Sequence, residues 1–126
     1  MVSLVVRELV AGDEAPLIKL GREMWEESAN FNRHPLNEEK LKQLALAVYT
    51  SDFLACFIAS NDKGPQGIWV GSVHPLWYSD DLSVYDIVFY VRKQYRGSSA
   101  AIKLVKSAEK WGQSMGASEI NIGLSS

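Results

Sequence analysis

The chain has 126 residues, with 13 Lys and Arg against 15 Asp and Glu and a formal net charge of −2 at pH 7. That length suits a single domain spanning 1–126, and 47% hydrophobic with 22% charged residues is enough apolar material for a core. There is no basic cluster to suggest nucleic acid, no apolar run long enough for a membrane span or signal peptide, and only one cysteine, Cys56, so no intrachain disulfide. A soluble, cytoplasmic protein is the expectation.

The elements follow in order. Residues 3–9, SLVVREL, alternate as a first strand. Asp13 is the expected cap of a helix that tolerates Pro16 in its first turn and runs to about Glu27, with Leu17, Leu20, Met24 and Trp25 on one face. Residues 28–37, SANFNRHPLN, read as a loop, and Asn37 is the expected cap of EEKLKQLALAVY, with Glu38 and Glu39 in the first turn. DFLACFIAS (52–60) is apolar on both faces, as a strand covered on both sides would be. A hairpin loop at 61–67, a strand at 68–78, a turn at 79–81 and a strand at 83–91 complete an antiparallel meander. A long helix follows, closed near Gly116, and then EINIGL (119–124) as a last strand, which a helical crossover makes parallel to its neighbour. The order is β-α-α-β-β-β-α-β, a mixed α/β (α+β) sheet.

The strand at 83–91 meets the long helix through Arg96-Gly97-Ser98-Ser99-Ala100-Ala101. A helix start has backbone N–H groups without helical partners, and together with the dipole they attract anions. The small residues leave the approach open, and Arg96, Arg92 and Lys93 add positive charge. A phosphate or pyrophosphate is the ligand this chemistry suits. The same turn also suits a second reading, close packing of helix on sheet.

The stretch resembles the Arg/Gln-x-x-Gly-x-Gly/Ala signature of the GNAT superfamily, the Gcn5-related N-acetyltransferases, and the element order matches that family from about Leu4 to the end of the chain. The resemblance implies acetyl-CoA as cofactor, its pyrophosphate on Arg96, Gly97, Ser98, Ser99, Ala100 and Ala101. It further implies a pantetheine arm lying along Phe89, Tyr90 and Val91, in a cleft between the fourth and fifth strands. A backbone N–H polarises the thioester carbonyl, and an amine acceptor attacks directly. Two departures stand out. Ser99 occupies the signature's central glycine position, and the family's further helix and two strands, which carry its usual general-acid tyrosine, lie beyond INIGLSS. A minimal form, a truncated product, or a second copy or partner completing the sheet are the three readings of the latter. A compact form suits a phage or mobile-element protein.

Within this frame Asp86, a carboxylate in the apolar strand VYDIVFYV, is the candidate base, against a surface or strand-end carboxylate. Tyr90 is the candidate acid, with Tyr95 expected to pack. His74 reads as a second base or as a turn histidine. Phe31, Arg33 and His34 are the candidate acceptor rim, and Glu23, Glu26 and Glu27 read mostly as a solvated face. Core packing is the expectation for most of the other aromatics. No paired ligand spacing suggests a metal. The expected function is N-acetyl transfer from acetyl-CoA to an amine, with a non-catalytic protein binding acetyl-CoA or a host protein as the alternative.

Overall fold

The computed structural model describes residues 4–122. Five strands form one sheet in the order β1-β2-β3-β4-β5. They are β1 (Val5–Glu8), β2 (Leu54–Asn61), β3 (Gly64–Pro75), β4 (Leu82–Val91) and β5 (Glu119–Asn121). The first four pair antiparallel and β4–β5 is parallel. Helices α1 (Ala15–Glu27) and α2 (Glu38–Thr50) precede β2, and α3 (Ala100–Ser114) links β4 to β5. This is the expected order. Ser3, Gly123 and Leu124, the ends of the two expected outer strands, lie outside the described residues.

Both faces of the sheet are covered, which explains the unbroken apolar run of β2. On one face Ala55, Phe57, Trp69, Val73, Val84, Phe89 and Val91 pack on Ala100, Leu104 and Ala108 of α3. On the other, Cys56, Ile58, Ile68, Val70 and Tyr90 pack on Leu17 and Leu20 of α1 and Ala45 of α2.

Three local expectations need correction. Asp13 does not cap α1: the cap position is Glu14, without a side-chain bond, and Asp13 pairs with Arg7 at 2.7 Å. Pro16 lies where a capping side chain would seek an N–H, and proline has none. Asn37 does cap α2, accepting from the Glu39 N–H at 3.0 Å. Second, the loop expected at 61–67 shrinks to Asp62 and Lys63. Asn61 Oδ1 accepts the Lys63 N–H at 2.9 Å, Gly64 takes φ +106°, and a register shift at Ala59/Ser60 absorbs the extra residue, Gln66. Third, β3 stops at Pro75, so Trp77 and Tyr78 lie on a turn and are 93% and 67% exposed rather than core.

A second bulge positions the site. The β3–β4 register runs Trp69↔Phe89, Val70↔Val88 and then Gly71↔Asp86, leaving Ile87 as the extra residue. Cross-strand partners share a face. Asp86, opposite Gly71, therefore falls on the α3 face with Trp69 and Phe89, while Tyr90, opposite Ile68, is on the α1–α2 face.

Candidate functional site

β5 pairs with Ser83, Val84 and Tyr85 only, and among the described residues this parallel register ends at Tyr85↔Asn121. β4 continues to Val91 and reaches α3 through a short 3-10 turn, Lys93–Tyr95. The parting of β4 from β5 and the first turn of α3 thus lie along one strand.

In that turn Gly97 has φ +93°, a left-handed conformation natural to glycine, and a Cβ there would meet nothing within 4 Å. Ser98 N–H donates to Tyr95 O at 3.1 Å, and Ser98 Oγ accepts the Ala100 N–H at 3.2 Å. Ser99 is the cap residue of α3 and makes no side-chain capping bond. The amides of Gly97, Ser99, Ala101 and Ile102 find no acceptor among the described residues. Ser98 and Ser99 are exposed, whereas Ala100 is fully buried against the sheet. Both sequence readings of the small residues therefore apply, at different positions. Gly97, Ser98 and Ser99 leave the amides open, and Ala100 lets the helix sit close to the strands.

The arginines face elsewhere. Arg96 reaches back to α1, where its guanidinium lies 2.5 Å from Glu27 Oε1, while its Nε donates to Val91 O at 2.9 Å. The same guanidinium stands over the Tyr90 ring, 5.6 Å from its centroid. Arg92 Nε lies 2.8 Å from Glu23 Oε2. The remaining Glu27 oxygen accepts the Tyr90 hydroxyl at 2.7 Å. This hydrogen bond, followed by Arg96, holds the Glu27 carboxyl below its usual range against the opposing effect of burial. Burial, and then Glu27, pushes the Tyr90 phenol well above its ordinary range.

The structure thus brings Phe89, Tyr90, Val91 and the turn at 96–101 into one continuous strand-to-helix path. It does not bring Asp86 and Tyr90 together: the bulge at Ile87 sends them to opposite faces. Phe31, Arg33 and His34 share the exposed α1–α2 connection, which the Trp25 Nε1–His34 O bond at 2.7 Å fastens to α1. His74 is exposed and stacks on Tyr85 with ring centroids 4.2 Å apart. Tyr95 is half-buried against the α3-side core. Glu23 and Glu27, read as a solvated face, instead form the α1 half of two ion pairs. A signal was present: Glu23/Glu27 and Arg92/Arg96 are each spaced by four, so two helical rungs can meet two rungs beyond β4. Among the described residues no group of three or more His, Cys, Asp or Glu could hold a metal ion, and no helix is long and apolar enough to cross a membrane.

No protein-family model matches the chain, and no curated protein matches it by sequence. Solved structures do. An aminoglycoside acetyltransferase, AAC(6')-Iy, in complex with the bisubstrate analogue CoA-S-monomethyl-acetylneamine, superimposes with a TM-score of 0.80 at 19% identity, covering 94% of this chain and 78% of that one. A GNAT family acetyltransferase of Staphylococcus aureus gives 0.72 at 16% identity over 96% and 87% of the two chains. The aminoglycoside acetyltransferase meta-AAC0020 from an uncultured soil metagenomic sample, in complex with sisomicin, gives 0.71 at 20% identity over 95% and 76%. At these identities the likeness shows the fold: this chain has the fold of the GNAT acetyltransferases.

Proposed function

We propose that the protein is an acetyl-CoA-dependent N-acetyltransferase, moving an acetyl group to an amine by direct attack on the thioester. The observation that carries this reading is the turn at Gly97: unpartnered amides at a helix start, on a turn whose residues 97–99 are exposed, at the end of the strand from which β5 has parted. The fold of acetyltransferases, one of them solved with a CoA bisubstrate analogue, supports it. In this reading the pyrophosphate lies on the turn at 96–101 and meets its open amides, those of Gly97, Ser99 and Ala101, the pantetheine arm follows Phe89, Tyr90 and Val91, and a backbone N–H polarises the thioester carbonyl. The amine loses its proton to Asp86, with Tyr90 as acid to the leaving thiolate. Phe31, Arg33 and His34 form the acceptor rim.

One observation favours a second reading, an acetyl-CoA-binding protein without turnover. Asp86 and Tyr90 occupy opposite faces, and the Tyr90 proton is already donated to Glu27. A second copy or partner pairing along β5, the edge strand of the described sheet, is consistent with either reading.

Calorimetry with acetyl-CoA tests cofactor binding, and thiol release in the presence of small amines tests turnover. Micromolar binding with release that falls in Asp86→Asn supports the enzyme. Binding without release supports the second reading, and no binding at millimolar acetyl-CoA removes both.

A further inference from the structure

Arg96 sits at the start of the small-residue turn, where an arginine would be expected to meet phosphate. Its side chain is committed elsewhere. One guanidinium nitrogen lies 2.5 Å from Glu27 Oε1 and Nε donates to Val91 O at 2.9 Å. The plane stands over the Tyr90 ring, whose hydroxyl donates to the other Glu27 oxygen at 2.7 Å. Two groups therefore meet on the Glu27 carboxylate at the end of α1, the Tyr90 hydroxyl near the end of β4 and the Arg96 guanidinium, and Arg96, which enters the Gly97 turn, also holds the Val91 carbonyl. One turn earlier on α1, Glu23 forms an ion pair with Arg92 at 2.8 Å, in a geometry that leaves the Arg92 Nε–H without a hydrogen bond, and the Arg92 backbone N–H donates to Gln66 O at 2.8 Å. The two rungs together tie α1 to the strand-to-helix path over both of its arginines.

We infer that Arg96 and Glu27 are positioning residues, a clasp that sets the geometry of the β4 end and the Gly97 turn, and that Arg96 is not a phosphate ligand. The inference rests on the acetyl-CoA reading above. Its physical basis is competition. Nε and one terminal nitrogen hold the guanidinium back against Val91 O and Glu27, so swinging it away from α1 toward an incoming phosphate breaks both contacts and leaves Glu27 with only Tyr90 as partner. The unpartnered backbone amides need no such exchange. The clasp also bridges the two halves of the site, since α1 leads directly into the exposed connection carrying Phe31, Arg33 and His34.

The test uses two ligands: acetyl-CoA, and S-acetylpantetheine, which carries the thioester arm without phosphate. Arg96→Gln, Arg96→Lys, Glu27→Gln and the double variant Glu27→Gln/Arg96→Gln are compared by calorimetry, after circular dichroism and thermal melting show each to be folded. The clasp predicts that each single variant weakens both ligands, by about tenfold, and that the double variant is no worse than either single one. Lysine fails with glutamine because an ammonium cannot span Val91 O and Glu27 as the fork does. A phosphate ligand predicts otherwise: Arg96→Gln weakens acetyl-CoA alone, Arg96→Lys retains affinity, and Glu27→Gln tightens acetyl-CoA by freeing the arginine. Any of these overturns the inference while leaving the proposed cofactor in place. Wild-type protein that binds neither ligand overturns the proposed function, and the positioning role with it.

Discussion

The Tyr90 hydroxyl donates to Glu27 Oε2 at 2.7 Å across 63 positions of sequence, joining the last residues of β4 to the last residue of α1. Tyr90 is buried and Glu27 only partly so, which keeps the value of the bond modest. Tyr90→Phe should cost about 1 kcal/mol at neutral pH, measured by urea unfolding. The pH dependence has a definite sign. Glu27 is held below its usual range, so the unfolded chain takes up this proton first as pH falls. The stability that the pair contributes is full above the ordinary carboxylate range and is lost as pH falls through the depressed folded value. The difference between wild type and Tyr90→Phe should close over that same interval. A difference that stays constant into acid would show that the hydrogen bond does not involve the ionised carboxylate.

Ser99→Glu should separate stability from binding. The first turn of α3 has no acidic residue, and Ser99 makes no capping bond. A carboxylate there meets the positive end of the helix and should raise stability by about 0.3–1 kcal/mol. The same carboxylate occupies the position where an anion would dock, so acetyl-CoA affinity should fall at least about tenfold. Melting and calorimetry on one sample give both readings. A stabilised protein that binds as well as wild type would move the anion away from this turn.

Gly71→Ala should be among the costlier single methyl additions in the molecule. A Cβ at this position would clash with the indole of Trp69 and lie 2.7 Å from Tyr85 O. Trp69 is fully buried and cannot retreat. The expected loss is about 2–3 kcal/mol by chemical denaturation. Because Gly71 faces the Ile87 bulge, acetyl-CoA binding should weaken as well, even in protein that remains folded.

Cys56 should be silent to thiol reagents in the native state. It is 1% exposed on β2, and burial pushes its thiol up to about 12. Labelling at mildly alkaline pH should proceed only as fast as the protein opens. The labelling rate in a urea series should then track the unfolding transition followed by circular dichroism. Rapid labelling in native buffer would place the thiol at the surface.

The order of elements, the two-sided cover of the sheet and the small-residue turn were legible in the sequence because each is local. The Asn37 cap, the apolar run of 52–60 and the glycine at 97 act on neighbours within a few residues. The Asp13 cap was misplaced because the sequence pattern does not tell which residue will face the missing N–H of Pro16. The two bulges escaped for a different reason. An extra residue in a strand is defined only by its partner, and Ile87 is extra only because Val70 and Gly71 pair with Val88 and Asp86.

That bulge carries the main consequence for the site. Strict alternation would set Asp86 and Tyr90 on one face, as a base and an acid working together would need, and the shift by one residue parts them. The Glu27–Tyr90–Arg96 cluster was equally out of reach, since α1 and β4 meet only once the sheet is assembled, although the matched spacing of Glu23/Glu27 and Arg92/Arg96 announced two sets of rungs. The sequence by itself determined the elements and the open helix start, because short-range sterics and hydrogen bonding decide them. Only the tertiary structure decided where the charged side chains point, because a carboxylate and a guanidinium choose partners by distance in space.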